Sequence, residues 1–273
     1  MQLSFSPRAQ FAAIAVANAI AIGVASAQGP APSPLLPQSA PPPSKEATPP
    51  TQASPAPELT KADFETFLDA LIPSQLRNRN IAGAVVSVVK DGQVLFQKGY
   101  GYADVEEKKP VIPDQTLFRP GSISKLFTAT AVMQLVEQGK LDLDRDVNDY
   151  LDFPIPKTYP DPVTLRQLLT HTGGFEETLK NLFVAHESDM KPLRTYLVNE
   201  MPARIFPPGK IPSYSNYGFT LAGYIVERVS GENFERYIEN QILKPLRMNN
   251  STFDQPLPAQ LAPQMSKGYL SAS

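Results

Sequence analysis

Apolar residues first fall into a helical rhythm at Phe64, Phe67, Leu68, Leu71 and Ile72, with Thr60 placed to cap the run. The period then changes. Ala84–Val89 and Val94–Lys98 read as strands, and Asp91-Gly92 between them is the dipeptide a tight hairpin turn favours, because such turns need positive φ. After a loop, Leu, Ala, Val and Met recur from Ser122 with no Gly or Pro until Gly139, which predicts one long buried helix with Gly139 just past its end. Thr164 to Thr170 is a short capped helix stopped by Gly173-Gly174, and Pro207-Pro208-Gly209 is a turn. Helical patterns resume after Tyr214-Ser215-Asn216-Tyr217-Gly218, first to about Ser230-Gly231 and then from Glu232 to about Leu243. Pro245 and Asn249-Asn250 break the chain, and Lys267 to Ser273 reads as a final strand.

The N-terminal stretch follows different rules. Arg8, the apolar run Phe11 to Val24 and the small residues Ala25-Ser26-Ala27 mark 1–27 as a secretory signal peptide, which places the protein in the periplasm or outside the cell. Left uncleaved, the same run acts as a membrane anchor. Residues 28–58 are rich in Pro, Ala and Ser and cannot build a core, so they read as an extended tether. The folded domain then occupies 59–273.

Composition narrows the chemistry. The 273 residues contain no cysteine, which excludes disulfides and thiolate metal sites. There are two histidines, His171 and His186, too few for a multi-histidine zinc site. Asp142, Asp144 and Asp146 imitate the start of a calcium loop, but Val147 and Phe153 stand where that loop needs its turn glycine and its glutamate, so no metal is expected. A net charge of −2 gives no electrostatic case for nucleic acid. His171 is expected to be a hydrogen-bonded structural residue beside a helix C-terminus, and His186 to be exposed.

The stretch with chemical promise is Ser122-Ile123-Ser124-Lys125. On a helix, residues three apart share a face, so the Lys125 amine meets the Ser122 hydroxyl. Near the helix N-terminus, unpaired N–H groups favour developing negative charge. Burial of the amine favours its neutral form, which can accept the serine proton. A second copy, Ser87-Val88-Val89-Lys90, lies in a strand, where residues three apart point to opposite faces.

Ser122-x-x-Lys125 together with Tyr214-x-Asn216 resembles the serine β-lactamase and penicillin-binding protein superfamily, in particular its class C β-lactamase and esterase-like branch. Leu168-Leu169-Thr170-His171-Thr172-Gly173-Gly174, Pro208-Gly209 and Lys244-Pro245-Leu246-Arg247-Met248 add to the likeness. The resemblance implies an α/β domain of the α+β type, with an antiparallel sheet flanked by helices and a helical lobe. It also implies an acyl-enzyme on Ser122, with Lys125 and Tyr214 sharing the proton transfers and Asn216 binding Lys125 and the substrate. The implied partner is a small-molecule or peptidoglycan-like substrate, an ester, β-lactam or D-Ala-D-Ala-like peptide, with an esterase or peptidase preferred over an antibiotic β-lactamase. No cofactor is implied, and the oligomeric state stays open.

The sequence departs from the family pattern twice. Arg247 stands where a Pro-Leu-Gly-Met turn has glycine, and no Lys-Thr-Gly or His-x-Gly follows Tyr214. The second departure leads us to expect a truncated product lacking the last strands and the C-terminal helix. A non-catalytic remnant or ligand-binding module is then the alternative to an active enzyme.

Overall fold

The computed structural model describes residues 58–184 and 186–269. The expected signal peptide, residues 28–57 of the expected tether and residues 270–273 of the expected last strand lie outside them. Helix α1, Lys61–Asn78, begins at a reciprocal cap: the Thr60 hydroxyl accepts the Asp63 N–H, and the Asp63 carboxylate accepts the Thr60 N–H. Its inner stripe is Phe64, Leu68, Ile72 and Leu76, which packs on Phe96 and Tyr100. Phe67, expected on that stripe, is 61% exposed, because spacing by four alone meets the sheet.

Strands β1 (Gly83–Lys90), β2 (Gln93–Asp104) and β3 (Lys109–Pro110) form an antiparallel sheet in the order β1-β2-β3. Lys90 pairs with Gln93 across the expected two-residue turn, where Asp91 and Gly92 both have positive φ, 52° and 75°. β2 runs beyond the expected end at Lys98, and the register slips by one residue between Val88 and Val89. Ser87 and Lys90 stay apart in function: Ser87 faces Gln97 in the ladder, and Lys90 pairs with Glu58.

The larger core is helical. It joins α2 (Lys125–Glu137), α3 (Leu165–Leu169), α4 (Leu193–Asn199), α5 (Asn216–Ser230) and α6 (Phe234–Ile238). Ala131, Val132, Leu135, Leu165, Leu168, Leu197, Leu221, Ile225 and Ile238 are almost fully buried there. α5 is the central element and buries both sides of its middle turns.

Four expectations need correction. The helix from Ser122 is not continuous: Gly121–Ser124 forms a tighter 3-10 turn, and the α-helix starts at Lys125. It is also not buried all round, since Ile123 and Leu126 are 64% and 66% exposed. The helix expected to reach Leu243 changes at Glu239 into a wider π turn, Glu239–Leu243. Finally, Lys267 to Tyr269 do not form a strand. Single backbone bonds, from Ser266 N–H to the Leu117 carbonyl and from Lys267 N–H to the Ala103 carbonyl (both 2.9 Å), hold this segment in place of a ladder.

The acidic turn lies at the surface and is tied to α3. Asp144 receives both Nε and Nη2 of Arg166 at 2.7 and 2.9 Å, Asp142 accepts the Asp144 N–H, and Asp146 accepts the Asn148 N–H.

Candidate active site

Three short pieces of chain make the site. Gly121, with φ of 57°, turns the chain into the 3-10 turn that presents Ser122. Lys125 follows as the first residue of α2, half-buried rather than buried as expected. Tyr214 stands just before α5, whose Ser215 caps the helix by accepting the Gly218 N–H at 3.0 Å, and Asn216 is the first residue of α5. Contacts between α2 and α5 bring these pieces side by side.

The side chains converge. The Ser122 hydroxyl shares a 2.6 Å hydrogen bond with the Tyr214 phenol. Lys125 Nζ donates to Ser122 Oγ at 3.0 Å and to Asn216 Oδ1 at 2.7 Å. The same nitrogen lies 4.9 Å from the centre of the Tyr214 ring and 5.7 Å from that of Phe219. All four sequence-predicted site residues therefore meet in one cluster. It is open to solvent, since Ser122 is exposed and Tyr214 is 46% exposed.

A neighbouring segment supports the tyrosine. His171 stacks on the Tyr214 ring, with centroids 4.3 Å apart and planes 25° apart. Its Nδ1 accepts the Ser215 N–H at 3.1 Å, and its carbonyl accepts the Ser213 N–H at 2.7 Å. Burial holds the imidazole below the usual histidine range; the nearby Lys125 charge adds to this, and Glu177 opposes it. His171 is thus a structural histidine at the end of α3, as the sequence suggests, but it also supports a site residue. Thr172 accepts the Gly209 N–H through its carbonyl, and Gly174 (φ 78°) lies so close to Phe206 that a Cβ there would be 2.0 Å from the Phe206 oxygen. Only glycine allows the two segments that frame the site to approach this closely.

Sequence reasoning missed Glu177. Its carboxylate accepts the Asn216 backbone N–H at 2.8 Å and the Asn216 Nδ2–H at 2.6 Å. Its position three residues after Gly174 was the only available signal. His186 is exposed. Among the described residues, no group of three or more His, Cys, Asp or Glu is placed to hold a metal ion.

The arrangement is an exposed hydroxyl with two proton-carrying groups in direct contact, suited to nucleophilic attack on a carbonyl. Comparison with known proteins identifies the family. A family model described as Beta-lactamase matches residues 68–271. Protein flp of Staphylococcus aureus (strain MRSA252) is 30% identical over 202 residues, covering 71% of this chain and 39% of flp. The octameric penicillin-binding protein homologue from Pyrococcus abyssi superposes with a TM-score of 0.65 at 32% identity, covering 75% of this chain and 48% of the homologue. A class C beta lactamase superposes with a TM-score of 0.60 at 28% identity, covering 77% of this chain and 56% of that one. The chain spans 39% of the length of flp, well under two thirds of that curated relative. It belongs to the beta-lactamase family, within the serine β-lactamase and penicillin-binding protein superfamily, most of whose members are serine hydrolases.

Proposed function

We propose that this member of the beta-lactamase family is an exported serine hydrolase that acts through an acyl-enzyme on Ser122. The observation that carries the reading is the contact of Ser122 Oγ with both the Tyr214 phenol and the Lys125 amine. In the forward step Ser122 Oγ forms a bond to the carbonyl carbon of the substrate. Its proton passes into the Tyr214–Lys125 pair, which then protonates the leaving amine or alkoxide as the bond to that group breaks. Water then attacks the ester carbon and gives up a proton to the same pair; the bond from that carbon to Ser122 Oγ breaks, the acid product leaves, and the pair returns a proton to Oγ. Asn216 holds Lys125 in place through its side-chain oxygen and faces the incoming substrate amide.

Esters, β-lactams and D-Ala-D-Ala-like peptides all carry the required carbonyl, and the open site suits a broad esterase or peptidase better than a narrow antibiotic hydrolase. Export rests on the signal-like stretch 1–27. A second reading is a binding module that takes the acyl group and releases it slowly. It is favoured by the exposure of Ser122 and Tyr214, because an open site keeps water around the charges that develop during reaction.

Labelling with a fluorescent penicillin and with a fluorophosphonate tests the reading. We expect label on the native chain and none on Ser122→Ala. Native protein that folds but takes neither label overturns acyl transfer. Release of the label, followed over time, separates turnover from trapping. A nitrophenyl ester and a chromogenic cephalosporin then rank the substrates.

A further inference from the structure

Asn216 carries an amide with two ends of nearly equal shape, one an acceptor and the other a double donor. In the observed orientation its oxygen meets Lys125 Nζ at 2.7 Å. Turned over, the amide would set an NH2 group against a lysine nitrogen that donates to Ser122 Oγ. Two donors would then face each other, and the lysine would lose its hold beside the nucleophile. The site therefore works only if something fixes the amide.

The structure assigns that role to Glu177, a positioning residue that turns the Asn216 carbonyl toward Lys125 by taking the opposite end of the amide. The inference rests on the acyl-transfer reading above. An ionised carboxylate only accepts, so it demands NH2 on its own side. Glu177 Oε1 accepts Asn216 Nδ2–H at 2.6 Å, and Glu177 Oε2 accepts the Asn216 backbone N–H at 2.8 Å. That backbone N–H belongs to the first turn of α5, where no helix carbonyl can reach it and where negative charge is favoured. Both carboxylate oxygens thus bind one residue, holding its main chain and its side chain together. The result is a relay of direct contacts from Glu177 through Asn216 and Lys125 to Ser122. Glu177 lies on the stretch that follows Gly174, and the Glu176 N–H just before it bonds to the Ala203 carbonyl at 2.8 Å.

The test compares acylation rates by fluorescent penicillin in Glu177→Gln, Glu177→Asp, Asn216→Ala and the double variant Glu177→Gln/Asn216→Ala. Glutamine keeps the shape but replaces one acceptor with a donor. We expect Glu177→Gln to slow acylation about 10- to 100-fold, and the shorter carboxylate of Glu177→Asp to recover part of that loss. In the Asn216→Ala background, Glu177→Gln should add less than about twofold, because the amide it orients is gone and only the backbone N–H contact remains. Native-like acylation by Glu177→Gln, or the same loss with and without Asn216, overturns the inference. A second readout needs no activity. The Asn216 side-chain amide resonance, assigned by its loss in Asn216→Ala, should shift between the native chain and Glu177→Gln at one fixed pH. An unmoved resonance overturns the contact. A chain that takes no label yet shows the shift supports the contact and rejects acyl transfer instead.

Discussion

His171 shows how one residue can link stability to the site. Burial and Lys125 lower its pKa, so the unfolded chain binds a proton more readily than the folded one. The sign follows from linkage: stability is full above the unfolded value of about 6.5 and declines as pH falls from there toward the lowered folded value. The groups facing the ring are Tyr214, Phe219, the Ser215 N–H, Lys125 and Glu177. Protonation of Nδ1 also removes the acceptor used by Ser215. Thermal unfolding between pH 7.5 and pH 5 should show the midpoint falling with acid, and falling less in His171→Gln. An equal slope in both proteins rejects the role. At this scale the sequence was legible where a motif names a residue, as at Ser122, Lys125, Tyr214 and Asn216. Glu177 was not legible, because a lone glutamate in a loop looks the same whether it faces water or an amide.

Elements were legible where a local rule governs them. The Thr60 cap, the Asp91-Gly92 turn and the stop at Gly139 each depend on the backbone within a few residues. β3 has only two residues, too few for any period, and the 3-10 turn at Ser122 and the π turn after α6 differ from α-helix by hydrogen-bond spacing, which side-chain pattern does not record. Two substitutions test the backbone argument. Arg247 has φ of 56°, a conformation that favours glycine, in the turn where the family resemblance implies that residue. Relief of about 1–2 kcal/mol of strain, less about 0.5–1 kcal/mol for glycine's looser unfolded state, predicts that Arg247→Gly is more stable by up to about 1.5 kcal/mol in denaturant melts. Gly174→Ala should do the opposite. Its positive φ and the close Phe206 oxygen predict a loss of about 2 kcal/mol or more, with weaker Ser122 labelling even in the folded fraction.

At the scale of the molecule, the described residues form two hydrophobic clusters, a small one between α1 and the sheet and a large one among the helices. The segment near Met265 is tied back to the end of β2 and to the loop before the Ser122 turn. Met265 bridges to Leu117, Lys267 N–H bonds to Ala103, and Lys267 Nζ sits between Asp104 and Glu106 at 2.7 and 2.8 Å. The Lys267 ammonium holds the Asp104 carboxyl below its usual range, so this tie weakens as acid protonates Asp104. The general α+β layout could be read from the sequence through family likeness, whereas this tie could not, since it depends on contacts between residues far apart in the chain.

The Ser122 cluster draws every member from 122–216, and among the described residues the β1–β2 hairpin supplies none of them. The turn at Asp91-Gly92 lies at the free tip of that hairpin, both residues are exposed, and a Cβ on Gly92 meets nothing within 4 Å. That tip is the natural attachment point for a dye or an affinity handle, because cargo fixed there leaves the reacting groups untouched.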